Sequence, residues 1–149
     1  MSREDNNGTP EQNQEVLRRV IEEGFNKGNY AALDPLFATG YREHQFGLKT
    51  TLEGLKEDIQ YLRTAFPDIH WTIEESIAGA EKVWIRMTAR GTNRGPFIGP
   101  PTGKPMTITV MDVCLFENGK IVEHWGVPDR FALLAQLGLL PQQFSENGA

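Results

Sequence analysis

Asp112 stands in the run ITVMDVCLF, a lone carboxylate among Val110, Met111, Val113 and Cys114. Burial disfavours the charged form of an acid and raises its pKa, which tunes a carboxylate as a general base near neutral pH. The plain alternative is an acid bonded at a sheet edge or within a hairpin. His124, in IVEHWGVPD, is the second proton-transfer group, on the strand paired with the one bearing Asp112. With Asn118-Gly119 as a two-residue turn, Asp112 falls opposite Trp125. Alternation then puts Glu123 and Trp125 on the face of Asp112 and His124 on the other, an order that a bulge would change. Arg86, in VWIRMTAR, alternates against Val83, Ile85 and Met87. Pointing inward it would pair with a carboxylate or hold an enolate oxygen, and pointing outward it would meet solvent or an interface. Asp129 precedes RFALLAQL, where an Asp caps a helix well.

Other chemistries find little support. The three histidines lack a short ligand spacing, and the single Cys114 has no partner, so no metal site is expected. There is no Gly-x-Ser-x-Gly elbow for a serine hydrolase. The stretch GTNRGPFIGPPTGKP, residues 91–105, looks at first like a phosphate loop. Only three residues separate Gly99 from Gly103, however, Pro105 stands where a hydroxyl residue is needed, and a strand follows rather than a helix. Pro100 and Pro101 also lack amide donors. The stretch is therefore read as a shaped loop between strands, at the rim of a cavity, with Phe97 as a binding residue. Met87, Phe97, Ile98 and Met111 suggest an apolar ligand, or else they fill the core.

The elements that must position these residues divide the chain in two. Val16, Val20, Ile21 and Phe25 recur at helical steps before Gly28-Asn29, and YAALDPLF is a shorter helical piece. YREHQF reads as a short extended segment. TTLEGLKEDIQYLRTAF is a helix with Thr51 as its cap and Leu55, Ile59 and Leu62 as its stripe, ending before Pro67. The second half is strand-rich: IHWTIEESIAG, KVWIRMTARGT, and then PMTITVMDVCLFENGKIVEHWGV, two strands about the Asn118-Gly119 turn. A last helix, RFALLAQLGLL, stops at Pro141. Helices followed by antiparallel strands give an α+β fold, a curved sheet wrapped over helices.

Composition sets outer limits. A chain of 149 residues, 39% hydrophobic, suits one domain, expected over residues 11–141 between flexible tails at 1–10 and 142–149. A net charge of −5 argues against broad nucleic-acid binding. No run approaches the roughly 18 apolar residues of a membrane span. MSREDNNGTPEQNQ lacks the apolar centre of a signal peptide, and one cysteine suits a reducing compartment, so a cytoplasmic location is expected.

From Phe66 onward the order of pieces resembles the SnoaL-like polyketide cyclase (ester cyclase) family of the NTF2-like superfamily. The segments that carry it are FPDIHWTIEE (66–75), GTNRGPFIGPPTGKPMTI (91–108), DVCLFENGKIVEHWGVPD (112–129) and LLAQLGLLP (133–141). The resemblance implies a cone, a strongly curved, mostly antiparallel sheet closed by N-terminal helices around an apolar cavity. It further implies a homodimer through the outer sheet face and chemistry without metal or organic cofactor. A pocket carboxylate or histidine would take a proton from an activated carbon, and an intramolecular aldol would close a ring. Asp129 follows the family's Glu-x-Trp stretch and should lie near the cavity; His44 should stand at its mouth; Trp125 would form part of its wall. The expected catalytic residues are thus Asp112, Asp129 and His124, and the expected binding residues His44, Arg86, Trp125, Phe97 and Met87. Two other readings remain open. A limonene-epoxide-type hydrolase would need two aspartates bridged by an arginine, for which Asp112, Asp129 and Arg86 are the candidates. A non-catalytic binder of small apolar ligands would need only the cone.

Overall fold

Thr9 opens the first helix, and its side chain and that of Gln12 satisfy each other's backbone amides, at 3.1 and 2.9 Å. Pro10 fits the first turn, where no amide partner is needed. This computed structural model describes residues 8–141; positions 1–7 and 142–149, read above as tails, lie outside the described residues. Helix α1 (Pro10–Arg19) continues without a break into wider π-type turns over Val20–Asn26. A tight 3-10 stretch, Tyr30–Leu36, accommodates Pro35 and leads into β1 (Phe37–Glu43). Helix α2 (Leu52–Ala65) starts at Thr51, whose hydroxyl accepts from the Gly54 amide at 3.1 Å, and buries Leu55 and Ile59.

Four strands follow: β2 (His70–Ala78), β3 (Lys82–Thr92), β4 (Pro105–Glu117) and β5 (Lys120–Pro128). They form one curved sheet in the order β1-β5-β4-β3-β2, antiparallel throughout except that β1 joins β5 in parallel. This is the α+β arrangement expected of an NTF2-like cone. At the β4–β5 turn Asn118 (φ 53°) and Gly119 (φ 75°) both take positive φ, as a two-residue hairpin of the favoured twist requires. The last helix, α3 (Arg130–Gln136), packs back on β4, where the Gln136 side chain brackets Thr107 with two backbone hydrogen bonds of 2.7 and 3.0 Å.

The concave face carries Val83, Ile85, Met87, Ala89, Met106, Ile108, Val110, Cys114 and Phe116, all buried. Alternation along β3 and β4 is strict, the signature of a sheet with one covered face. Asn26 docks the N-terminal helix on the sheet: its amide bonds the Trp71 carbonyl at 2.9 Å and its oxygen accepts the Trp71 amide at 2.8 Å. Arg63 of α2 in turn donates to the carbonyls of Phe25 and Asn26, at 2.9 and 2.6 Å. The helices therefore close one side of the cone through satisfied backbone groups as well as apolar contact. No helix of the described residues is long and apolar enough to cross a membrane.

Candidate active site

One extra residue on β5 builds the site. Phe116 pairs with Ile121, but Leu115 pairs with Glu123, so Val122 has no opposite number and forms a bulge. Beyond it the register opposes Asp112 to Gly126, Cys114 to His124, and Val113 to Trp125. The sequence expectation of Asp112 opposite Trp125 is thereby corrected: His124 shares the concave face with Asp112, and Glu123 and Trp125 turn outward. A one-residue slip exchanges the faces of all that follows.

His124 bridges two carboxylates. Its Nδ1 lies 2.6 and 2.8 Å from the two oxygens of Glu43, and its Nε2 lies 3.3 Å from Asp112 Oδ2. Glu43 arrives from β1, whose parallel pairing sets it level with His124. The Tyr41 hydroxyl donates to Glu43 Oε2, and the Gln45 amide to Oε1 at 2.9 Å. Burial alone would lower the pKa of the imidazole, but Asp112 and Glu43 together raise it to about 10, so the ring is an imidazolium with both nitrogens donating. Burial likewise works against the Glu43 charge, and the bonds from His124, Tyr41 and Gln45 outweigh it, holding Glu43 below the ordinary carboxylate range. Burial, and then the neighbouring Glu43, push the Tyr41 phenol upward, which keeps its proton in place. The Cys114 thiol is also pushed up, by burial first and then by Asp112 and Glu43.

The other Asp112 oxygen, Oδ1, is buried and has no hydrogen-bond partner. Such a group is expensive to leave bare. Asp112 is among the residues that line a cavity of about 380 Å³. The wall is mostly apolar, with Trp71, Met87, Phe97, Ile108 and Leu133 among its residues, and the polar groups Gln45, Asp112 and His124 meet on one side. Gly126, opposite Asp112, lets these polar groups pack closely: a Cβ there would lie 2.6 Å from Asp112 Oδ1 and collide with the Gln45 side-chain oxygen.

The Gly/Pro loop forms part of the wall, held at its ends by one buried side chain. Asn93 donates to the carbonyls of Ala65 and Gly95, at 3.3 and 2.8 Å, and accepts from the backbone and hydroxyl of Thr102, at 2.8 and 2.9 Å. Between these ties Phe97 and Ile98 reach the cavity, Phe97 set edge-on against Phe66 at 5.4 Å.

The expected residues distribute as follows. Asp112, His124, Met87 and Phe97 line the cavity. Asp129 caps α3, accepting from the Ala132 amide at 3.0 Å, and is not in the wall. Arg86 lies on the convex face, its Nε 3.2 Å from Glu75. His44 and Trp125 also lie outside the cavity lining, stacked on each other with centroids 4.8 Å apart, and His44 Nε2 is 3.3 Å from Glu123. Met111, suggested as a wall residue, is 48% exposed on the convex face. Asp112, Asp129 and Arg86 are therefore not brought together as an epoxide-hydrolase set would require. Glu43, Tyr41, Gln45 and Gly126 were missed. Glu43 lies in a polar-looking segment, YREHQF, and only its two-residue spacing from Tyr41, one face of a strand, hinted at a shared role. Among the described residues, no three His, Cys, Asp or Glu side chains are grouped to hold a metal ion.

No curated protein matches the chain. Among solved structures, TsrD from Streptomyces laurentii superposes with a TM-score of 0.81 at 25% identity, covering 89% of this chain and 99% of its own. IdmH from Streptomyces antibioticus, described as a candidate polyketide cyclase, is 31% identical with a TM-score of 0.76, over 85% of this chain and 99% of its own. AclR from Streptomyces galilaeus, described as a candidate hydroxylase, shares the fold at 22% identity and a TM-score of 0.80, over 90% of this chain and 89% of its own. The family model of the SnoaL-like polyketide cyclases matches residues 15–137, nearly all of the described fold, and the chain belongs to that family.

Proposed function

We propose that the chain is a cofactor-independent cyclase or isomerase that closes a ring in a small apolar carbonyl substrate, such as a polyketide ester, by an intramolecular aldol reaction with Asp112 as the base. The carrying observation is Asp112 itself, a cavity-lining residue with one oxygen paired to an imidazolium and the other buried without a partner. A carbon flanked by two carbonyls is already acidic, so a single positioned carboxylate is enough to ionise it. The Asp112 carboxylate removes that proton, and the electron pair passes to the neighbouring carbonyl as an enolate. The enolate carbon attacks a second carbonyl of the same molecule, and the resulting alkoxide takes the proton back from Asp112. No atom is gained or lost. The cavity contributes by folding the chain so that the two carbons meet, an entropic saving, and by excluding water from the charged intermediate. The His124 cation offsets charge at the same corner.

The same reading pairs two copies through the convex face of the sheet. Trp84, Val113 and Trp125 stand in one cross-strand row there, and Met111 and Val127 in the next. Trp84 and Val127 are 54% and 70% exposed, an apolar surface of the kind that associating proteins cover.

The test is a panel of aromatic 1,3-dicarbonyl esters incubated with the protein and with Asp112→Asn. Ring closure by the wild type, with turnover about 10²–10⁴ lower in the variant at an unchanged melting temperature, is the expected result. Equal turnover by both proteins removes Asp112 as the base. Binding of panel members by both proteins without conversion makes the chain a ligand-binding cone instead.

A further inference from the structure

Glu43 has no part in the proton transfer just described, yet its side chain is withdrawn entirely from solvent. A carboxylate in that position is costly unless it is matched. It is matched by a fork of His124 Nδ1 on both of its oxygens, by the Tyr41 hydroxyl and by the Gln45 amide. That is more partnering than core packing needs, and all of it converges on the ring that holds Asp112.

We propose that Glu43, supported by Tyr41, is a positioning residue that fixes His124 as an imidazolium with its Nε2 proton aimed at one oxygen of Asp112, so that the other oxygen is left to the substrate. This rests on Asp112 being the base. A neutral imidazole could carry its one proton on either nitrogen, and with Nδ1 protonated it would offer Asp112 a lone pair instead of a donor. The Glu43 fork removes that choice. Every group facing the ring is consistent with a fixed charge: Glu43 and Tyr41 from β1, Asp112 and Cys114 from β4, and the Gln45 amide. Asp58 of α2 and Arg130 of α3 also line the cavity, while His44 and Glu123 pair with each other outside it. The hydrogen-bonded row ends at Tyr41, itself buried, so it clamps the ring and conducts no proton away.

The experiment is a pH titration of the histidine ring nitrogens by NMR in the full ¹⁵N-labelled chain, where His44, His70 and His124 give three sets of signals. In the wild type both His124 nitrogens should stay protonated from pH 6 to about 9. Glu43→Gln should lower the titration midpoint of His124 by at least about one pH unit, a tenfold change in proton affinity, and Tyr41→Phe by less. Glu43→Asp keeps the charge on a shorter arm and should restore part of the shift. On an active substrate Glu43→Gln should lower kcat with little change in KM and move the alkaline limb of the pH profile downward.

A wild-type His124 that titrates near 6.5, or the same midpoint in wild type and Glu43→Gln, overturns the proposal and leaves Glu43 a structural residue. If Glu43→Gln does not fold, Glu43→Asp decides: a lowered midpoint supports the clamp and an unchanged one overturns it. The nitrogen signals need no turnover. A clamped His124 beside an Asp112→Asn protein of full activity would therefore refute the assigned base and leave the clamp standing.

Discussion

His124 takes a charge into the core, and the direction of its pKa shift sets how stability depends on pH. A histidine whose pKa rises on folding, here from 6.5 to about 10, stabilises the fold fully below pH 6.5 and loses that contribution as pH climbs through about 10. Glu43, whose pKa falls below 4.5, contributes above that value and loses its share as the medium is acidified through its folded pKa. The window in which both act fully runs from about pH 4.5 to 6.5. His124→Gln should therefore melt well below the wild type at pH 6, and the gap should narrow by pH 10. A gap of constant size across that range would show that His124 is not charged in the fold. Asp112 and His124 were visible in the sequence because an acid and an imidazole in apolar strands stand out against their neighbours. Glu43 was not, since Arg42 and His44 on either side make it look solvent-facing, and only the buried alternate positions Tyr41 and Glu43 reveal the face.

The bulge at Val122 sets which side chains of β5 face the cavity. Deleting Val122 should make the pairing regular while keeping Leu115 opposite Glu123 and Cys114 opposite His124, so the ring should stay on the concave face and keep its raised midpoint. The nitrogen titration of the deletion variant checks this, and an ordinary midpoint there would show that the bulge also sets the position of the ring. The elements around this point were legible from local chemistry: Thr51 as a cap, Asn118-Gly119 as the hairpin, and strand limits from β-branched and aromatic runs. The bulge was not, because Ile121, Val122 and Glu123 carry no glycine or proline to mark it. The parallel joining of β1 to β5 was equally hidden, being a contact between segments some 80 residues apart. Nothing in a short extended piece such as YREHQF names its neighbour.

Over the whole molecule, the two faces of the sheet have different tasks. The concave face surrounds the cavity and the acid–imidazolium row, while the convex face presents Ile77, Trp84, Met111 and Val127 to solvent. If two copies pair there, the wild type should sediment at about twice the 16.8 kDa chain mass, and Trp84→Glu should shift it to the monomer. A wild type that is already monomeric at micromolar concentration sinks the paired arrangement. The α+β layering could be anticipated from helix and strand periodicity, and the cone only from the family resemblance, yet the direction in which each strand face turns emerges only when the strands are paired. The Asn93 ties have a consequence for how such a cone can diversify. Both ends of the 93–102 loop are fastened by a single buried amide, and only Phe97 and Ile98 between them line the cavity. The middle of that loop is an exchangeable cassette: its length and side chains can drift, or be grafted from a relative, while the carboxylate on β4 and its imidazolium keep their places.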